Sequence, residues 1–388
     1  MTSKTAACGG AATEDIYWMR RALALAQASV YLSNPNPRVG CVIVRAGKVL
    51  AQGFTQAAGS RHAEAQALHE AAQQGVDVRG ATAYVSLEPC SHTGRTPPCA
   101  DALIHAGLAR VVCALQDPNP QVAGQGAAKL QAAGIAVETG VLAQEAKQLN
   151  IGFFSRMQRG RPWLRLKIAA SLDGFTALPN GQSQWITGEA ARADGHAWRA
   201  RACAVLTGVG TVLADDPLLN VRGIDMQRQP HLLLVDSQLR TPATAKLLAA
   251  QAEFARKIVV FHLENAPAQN AAALQAAGAQ LVALPADAVG RVDLAALLAW
   301  LQTHLPVNEL HIEAGATLNG ALLQAGLVDE VLYYQAPKLL GAGRPVAVLP
   351  AYHHVDQAQP LYPLHSEILG ADTCTRFLTT GGQAFWRV

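Results

Sequence analysis

For a chain of 388 residues this one has little charge and few aromatics: 15% of residues are charged, 5% are aromatic, and the formal net charge is +3. That balance excludes the strongly basic footprint with which a protein coats nucleic acid. No run of about 18 consecutive apolar residues occurs, so no membrane-spanning helix is expected. The opening MTSKTAACGG also lacks the apolar core of a secretory signal. Cysteines are sparse and odd in number, seven in all (Cys8, Cys41, Cys90, Cys99, Cys113, Cys203, Cys374), which points to reduced thiols and the cytoplasm rather than to a disulfide framework. A Walker phosphate loop is missing too. GVG at 208–210 is no dinucleotide fingerprint, because the third glycine is absent and no acidic residue about 20 positions on closes a βαβ unit.

What is present is apolar residue, half of the chain, and enough length for two cores. One local grammar recurs. An Ala/Leu-rich amphipathic run ends in Ala-Gly and a short β-prone run follows, at 100–115, 129–140, 274–284 and 321–334. Gly107, Gly134, Gly278 and Gly326 sit where a helix C-terminus needs a left-handed residue, so these are helix-to-strand joints of an α/β protein and not a sequence repeat. A boundary is expected in SRMQRGRP, 155–162, where a polar helical stretch gives way to the strand-like WLRLKIAAS. The expected domains are 1–157 and 161–388.

Two stretches of the first half carry chemistry, RHAEA at 61–65 and EPCSHTGRTPPCAD at 88–101. A catalytic zinc takes three protein ligands and keeps a fourth position for water. His62, Cys90 and Cys99 supply one imidazole and two thiolates, and Glu64 is then a free carboxylate placed to move protons, the arrangement of a zinc deaminase. His62 opens a helix reading HAEAQALHEAAQQG, and Pro97-Pro98 opens another that carries Cys99 in its first turn, where the positive helix end favours a thiolate. Against this, Cys41 and Cys113 lie in plain apolar strands, and a lone H-x-E motif would mean little. The deaminase signature Pro-Cys-x-x-Cys is not followed: eight residues, SHTGRTPP, separate the two cysteines.

That insert resembles the deaminase half of the bifunctional riboflavin-biosynthesis deaminase/reductase family. The same family is matched by NPNPRVGCVIV (34–44), QDPNPQVAGQG (116–126), KIAASLDGFTA (167–177), SQWITG (183–188), TVLADDPLLNVR (211–222) and the stretch from Ile312 to Gly341, covering nearly the whole chain. The resemblance implies an α/β architecture with an N-terminal cytidine-deaminase-like three-layer domain and a C-terminal dihydrofolate-reductase-like domain. It implies zinc and NADPH as cofactors and a pyrimidine ribosyl phosphate as substrate, deaminated in the first domain and reduced at its ribose in the second. Asn36 would bind the pyrimidine, while His92 and Arg95, in the insert, would meet the ribosyl phosphate. Thr55 stands where many members of the family carry a histidine.

In the second half the residues alone say less. ELHIEAGATLNGALLQAG reads as a strand ending at Glu313, a turn, and a helix with Thr317 as N-cap, a start able to hold a phosphate. The resemblance assigns NADPH contacts to Ala169, Trp185, Thr211, Asp215, Ser237 and the turn Gly315, Ala316, Thr317, Leu318, Asn319, Gly320, Ala321. It assigns substrate contacts to Ser183, Arg199, Leu219, Arg222 and Glu313, with the two arginines suited to a phosphate. Asp215 is also open to reading as an N-cap or turn residue, and Trp185 as a core aromatic. The alternatives are a zinc deaminase of cytidine or of a tRNA adenosine fused to an unrelated oxidoreductase, and a non-enzymatic zinc-stapled module. A tRNA enzyme would show a basic patch, and a structural zinc would take four closed protein ligands. Neither nucleic acid nor membrane is expected as a partner. A homo-oligomer, dimer or larger, is expected, with the β-prone run GLVDEVLYYQAPKL as a candidate dimer edge.

Overall fold

The structure, a computed structural model, describes residues 6–91, 97–249, 251–254 and 256–388. The chain divides into two compact units, Met1–Arg159 with Val388, and Gly160–Arg387.

In the first unit the elements run α1 (Ala6–Gln27), β1 (Gly40–Arg45), β2 (Lys48–Phe54), α2 (Ala63–Gln73), β3 (Thr82–Val85), α3 (Cys99–His105), β4 (Arg110–Cys113), α4 (Gln125–Ala132), β5 (Ala136–Thr139), α5 (Ala143–Leu149) and α6 (Ile151–Arg159). The five strands form one sheet in the order β2-β1-β3-β4-β5, antiparallel around β1 and parallel from β3 to β5. Strand side chains alternate between faces. Val42, Val44, Tyr84 and Val112 therefore face Trp18, Met19 and Ala22 of α1, and α2 covers β1 and β2 from the other side, completing three layers. At the ends of α3 and α4, Gly107 (φ 69°) and Gly134 (φ 84°) take the left-handed conformation, as Gly278 and Gly326 do after their helices in the second unit. A Cβ is disfavoured there, which is why the same Ala-Gly joint recurs.

In the second unit β6 (Trp163–Ser171) and β7 (Phe175–Ala177) are followed by α7 (Glu189–Arg201), β8 (Ala204–Gly208), α8 (Val209–Asp215), β9 (His231–Val235), α9 (Lys246–Ala249), α10 (Gln251–Phe254), β10 (Ile258–Leu263), α11 (Ala271–Ala276), β11 (Gln280–Leu284), α12 (Leu294–His304), β12 (Glu309–Ile312), α13 (Ala316–Gln324), β13 (Glu330–Ala336), β14 (Arg344–Pro345), β15 (Tyr362–Leu369), β16 (Asp372–Leu378) and α14 (Thr380–Trp386). Nine strands build one sheet, β11-β10-β9-β8-β12-β6-β13-β16-β15. The first seven are parallel, and β16 and β15 close one side as an antiparallel hairpin. Apolar layers cover both faces, one around Leu166, Phe261 and Leu298 and the other around Leu232, Val260 and Leu274. Within the sheet the buried guanidinium of Arg165 bonds Glu309 (2.7 Å) on β12 and Glu330 (2.9 Å) on β13, so two carboxylates balance one buried charge across three adjacent strands.

Two expectations are corrected here. The run 326–339 supplies β13, which lies between β6 and β16 and is no edge; its apolar residues serve the sheet interior, and β15 is the outer strand on that side. The cap of α13 is Gly315, not Thr317, which lies one residue inside the helix.

Candidate active sites

The first site follows from strand direction. Because β1 is antiparallel to β2 and β3, the segment entering β1 and those leaving β2 and β3 all emerge at one end of the sheet, where α/β proteins place their ligands. Those segments carry Asn36, Thr55, His62 and Cys90. His62 is the N-cap of α2, which puts Glu64 in the helix's first turn, and Pro98 caps the helix that begins with Cys99. His62 Nδ1 lies 3.7 Å from Cys90 Sγ and 3.5 Å from Cys99 Sγ, and the Cys99 amide donates to Cys90 Sγ at 3.4 Å. The three ligand atoms all fall within 4.8 Å of one another. Zinc bonds of roughly 2.1 Å to nitrogen and 2.3 Å to sulfur, at a tetrahedral angle, separate their ligand atoms by about 3.6 Å. The donor set fits zinc in both chemistry and spacing.

Electrostatics agree. A hydrogen bond from Cys99, then one from His62, hold the Cys90 thiol well below the ordinary cysteine range despite burial, and the same bond raises Cys99. Glu64 is 3% exposed and contacts the Cys99 thiol; burial first, then the Cys90 charge, push its carboxyl up to about 7. It stands beside the ligand trio without belonging to it. Two residues before Cys90 stands Glu88, a buried carboxylate missed in the sequence, whose oxygens accept from the amide of Asp117 (3.2 Å) and, at the start of α4, from those of Gly124 (2.9 Å) and Ala127 (3.0 Å). Burial, with Glu88 and Cys90 nearby, raises Asp117 to about 7. Asn36 lies half-buried in the turn before β1, and Asn150 fixes that turn through both backbone groups of Arg38 (2.7 and 2.8 Å). The Thr55 hydroxyl bonds the Val39 backbone. His92 and Arg95 lie outside the described residues.

The second site lies at the carboxyl ends of the parallel strands. From β8 the chain continues to β9 on one side, whereas β12 returns between β8 and β6, so the loops after β8 and β12 diverge and leave a crevice. A cavity of about 1360 Å³ opens there. That exceeds the roughly 300–1,000 Å³ typical of one small ligand and leaves room for a dinucleotide and a second molecule. Ala169, Trp185, Thr211, Asp215, Ser237, Gly315, Ala316, Thr317, Leu318, Asn319 and Ala321 line it, as do Ser183, Arg199, Leu219, Arg222 and Glu313. Gly320 does not: it packs against the Val348 backbone so closely that a Cβ would lie 1.9 Å from the carbonyl oxygen. Asp215 is the last residue of α8 rather than an N-cap, and Trp185 is 61% exposed rather than core. The N-cap of α13 offers no side-chain acceptor, so the first amides of that helix are free for an anion such as a dinucleotide phosphate.

Glu313 and Arg199 face each other in a two-point pair, Nε to Oε1 2.6 Å and Nη2 to Oε2 2.8 Å. Arg199 also donates to the Asn220 carbonyl, and Arg222 reaches the Asn220 side chain at 2.8 Å. Burial would raise the Glu313 carboxyl, but the Arg199 charge and contacts with His311 and Arg199 override it and hold it well below the usual range. Lys167 and His196 also line the cavity and were missed; the sole sequence signal for Lys167 was a lysine inside an apolar strand. Burial lowers both, His196 to about 4 with Arg199 and Arg222 adding to it, so His196 is neutral near pH 7.

Fold and sites together define a fusion of a zinc-type deaminase with a nicotinamide-dependent reductase. Residues 12–115 match the family model of the cytidine and deoxycytidylate deaminase zinc-binding region, and residues 162–373 match that of the RibD C-terminal domain. The riboflavin biosynthesis protein RibD of Escherichia coli (strain K12) is 44% identical over 93% of this chain and 98% of its own length, and that of Aquifex aeolicus is 38% identical over 92% and 96%. Among solved structures, Acinetobacter baumannii RibD superposes with a TM-score of 0.86 at 42% identity, covering 95% of this chain and 99% of that one. The diaminohydroxyphosphoribosylaminopyrimidine deaminase/5-amino-6-(5-phosphoribosylamino)uracil reductase of Thermotoga maritima does so with 0.83 at 30%, with the same coverage. The chain belongs to the RibD family: it is a deaminase joined to a reductase in riboflavin biosynthesis, with zinc as cofactor of the first half and NADPH of the second. Among the described residues no helix is long and apolar enough to cross a membrane.

Proposed function

We propose that the unit 1–157 hydrolyses the 2-amino group of 2,5-diamino-6-ribosylamino-4-pyrimidinone 5′-phosphate. The unit 161–388 then reduces the ribosyl group, giving 5-amino-6-ribitylaminouracil 5′-phosphate. The single observation that carries the first step is the His62–Cys90–Cys99 trio with the buried, non-ligating Glu64 beside it. Zinc, when bound, supplies the Lewis acidity that makes water nucleophilic near neutral pH. Glu64 takes a proton from the attacking water and passes it to the departing amine, which leaves as ammonia. Its burial suits this, since a carboxyl raised toward the working pH both accepts and releases a proton readily. Asn36 orients the pyrimidine, and His92 and Arg95 meet the phosphate.

In the second unit NADPH, when bound, supplies a hydride, and the protein's part is orientation. Ala169, Trp185, Thr211, Asp215, Ser237, the turn at 315–319 and Ala321 hold the cofactor. Ser183, Leu219, Arg222 and the Arg199–Glu313 pair hold the substrate, with Lys167 beside them. Because Arg199 is already committed to Glu313, its role is to fix that carboxylate for substrate hydroxyls, and Arg222 is left as the more available cation for a phosphate. The proposed setting is the cytoplasm. A homo-oligomer, dimer or larger, is proposed as well, supported by the outer strand β15, on which Ile368 is 79% exposed.

Glu64→Gln tests the deaminase reading. Glutamine keeps the size and leaves the ligands alone, so zinc content stays normal while ammonia release falls roughly 100- to 10,000-fold. NADPH oxidation with supplied deaminated substrate continues. Loss of zinc would make Glu64 a ligand, and near-normal ammonia release would assign the proton transfers elsewhere.

A further inference from the structure

Between α8 and β9 the wall of the reductase cavity is held by side chains. Four consecutive carbonyls each accept from one: Leu218 from Arg256 Nη2 (2.7 Å), Leu219 from Arg256 Nη1 (2.8 Å), Asn220 from Arg199, and Val221 from Gln229 Nε2 (3.2 Å). The amides are treated differently. Val221 donates to Gln229 (2.7 Å) and Arg222 to His196 (3.2 Å), but the amides of Leu218, Leu219 and Asn220 have no acceptor among the described residues. Leu218 and Leu219 line the cavity, and Leu219 (φ 48°) takes a left-handed conformation that leucine keeps only where its surroundings enforce it. Carbonyls taken, successive amides left over and a left-handed residue among them make a backbone nest of the kind that receives an anion.

Arg256 is the donor that enforces this conformation. It is 3% exposed, stands two residues before β10, does not line the cavity and has no carboxylate partner among the described residues. Burial, then the Arg199 charge, lower it to about 10, so it remains a cation near neutral pH. A buried unpaired charge is costly, and its hydrogen bonds here go to two adjacent carbonyls of one turn. The turn's own acid, Asp216, is directed elsewhere, accepting from the Lys246 amide at 2.9 Å. With Arg199 committed to Glu313, Arg222 and the buried Arg256 leave this corner positive, which suits a phosphate monoester better than a neutral sugar hydroxyl.

We infer that Arg256 is a positioning residue of the reductase step: it holds the Leu218 and Leu219 carbonyls back, so that the amides of 218–220, beside Arg222, are left to receive the phosphate monoester of the substrate. The inference rests on the reading of Leu219 and Arg222 as substrate contacts.

The test is steady-state reduction by the full chain of supplied deaminated substrate, with and without its phosphate, for the unmodified protein, Arg256→Met and Arg256→Lys. Methionine fills much of the space but donates nothing; lysine keeps the charge and reaches one carbonyl at most. The unmodified protein should favour the phosphorylated compound. Arg256→Met should raise its KM about 10- to 100-fold, the range for hydrogen bonds to a charged group, at similar kcat. The KM for NADPH and the turnover of the dephosphorylated compound should stay unchanged, and inorganic phosphate, a competitor of substrate in the unmodified protein, should inhibit the variant more weakly. Arg256→Lys should recover part of the loss, and it decides the same split if the methionine variant does not fold. A KM that stays put would overturn the inference. So would equal losses with both compounds, or a parallel rise in the KM for NADPH, since either would mark a role in stability alone. If the unmodified chain treated the two compounds alike, the phosphate role of the turn would fall and the inference with it. Failure to reduce either compound would instead overturn the reductase reading itself.

Discussion

Gly126 lies inside α4, with nothing unusual in its backbone, yet a methyl group there would lie 1.9 Å from the carbonyl oxygen of Pro89 and 3.2 Å from Glu88 Oε1. The first distance is roughly half a normal contact. Neither partner is a flexible side-chain end: Pro89 precedes Cys90, and Glu88 is pinned by three amides. Gly126→Ala therefore has to push the Pro89-Cys90 turn away from α4 by about 1 Å, and overpacking of this kind costs roughly 1–3 kcal/mol. The chemical penalty is larger than the stability penalty, because a misplacement of about 1 Å at a catalytic group can cost 100-fold. The variant should stay folded, bind zinc more weakly under competition from a chromogenic chelator, and release ammonia at least about 100-fold more slowly, with NADPH oxidation on deaminated substrate unchanged. Normal zinc affinity and normal ammonia release would refute the claim that α4 sets the position of Cys90.

Further outcomes are expected. A strong chelator should abolish ammonia release and spare the reductase, and a zinc-free protein with full deaminase activity would exclude the trio as the catalytic centre. The two halves, produced separately with the cut near Gly160, should each fold and retain one activity; an insoluble half would count against independent domains. For acid stability, His231 is informative: burial lowers it to about 4 from an ordinary 6.5, and its neutral Nδ1 accepts from the Lys257 amide at 3.2 Å. The unfolded chain thus binds a proton that the folded one refuses. Stability of the second unit should be complete above about pH 6.5 and fall as pH drops toward 4, by up to ~3 kcal/mol before solvent screening reduces it. In denaturant titrations at pH 7 and 5, His231→Gln should flatten that slope, and an unchanged slope would assign it to other groups.

The clustering of His62, Cys90 and Cys99 beside Glu64, and the helix starts that carry them, were legible in the residue types and spacings alone, because metal ligation restricts which side chains could serve and local helix signals say where they stand. The four Ala-Gly joints were legible for a similar reason: a left-handed residue is a local requirement. Glu88, Lys167 and His196 were not, since each acquires its neighbours from elements far away in sequence. Nor was the fate of β13, whose alternating apolar pattern suits an edge and an interior strand alike. The packing of α4 on the Pro89 carbonyl and the commitment of Arg199 to Glu313 are likewise properties of the assembled sheet. Local sequence determines which groups a site contains wherever one short segment supplies both the group and its geometry. Which charges are paired, buried or left facing a cavity depends on the partner that the fold brings up, and only the tertiary structure decides that.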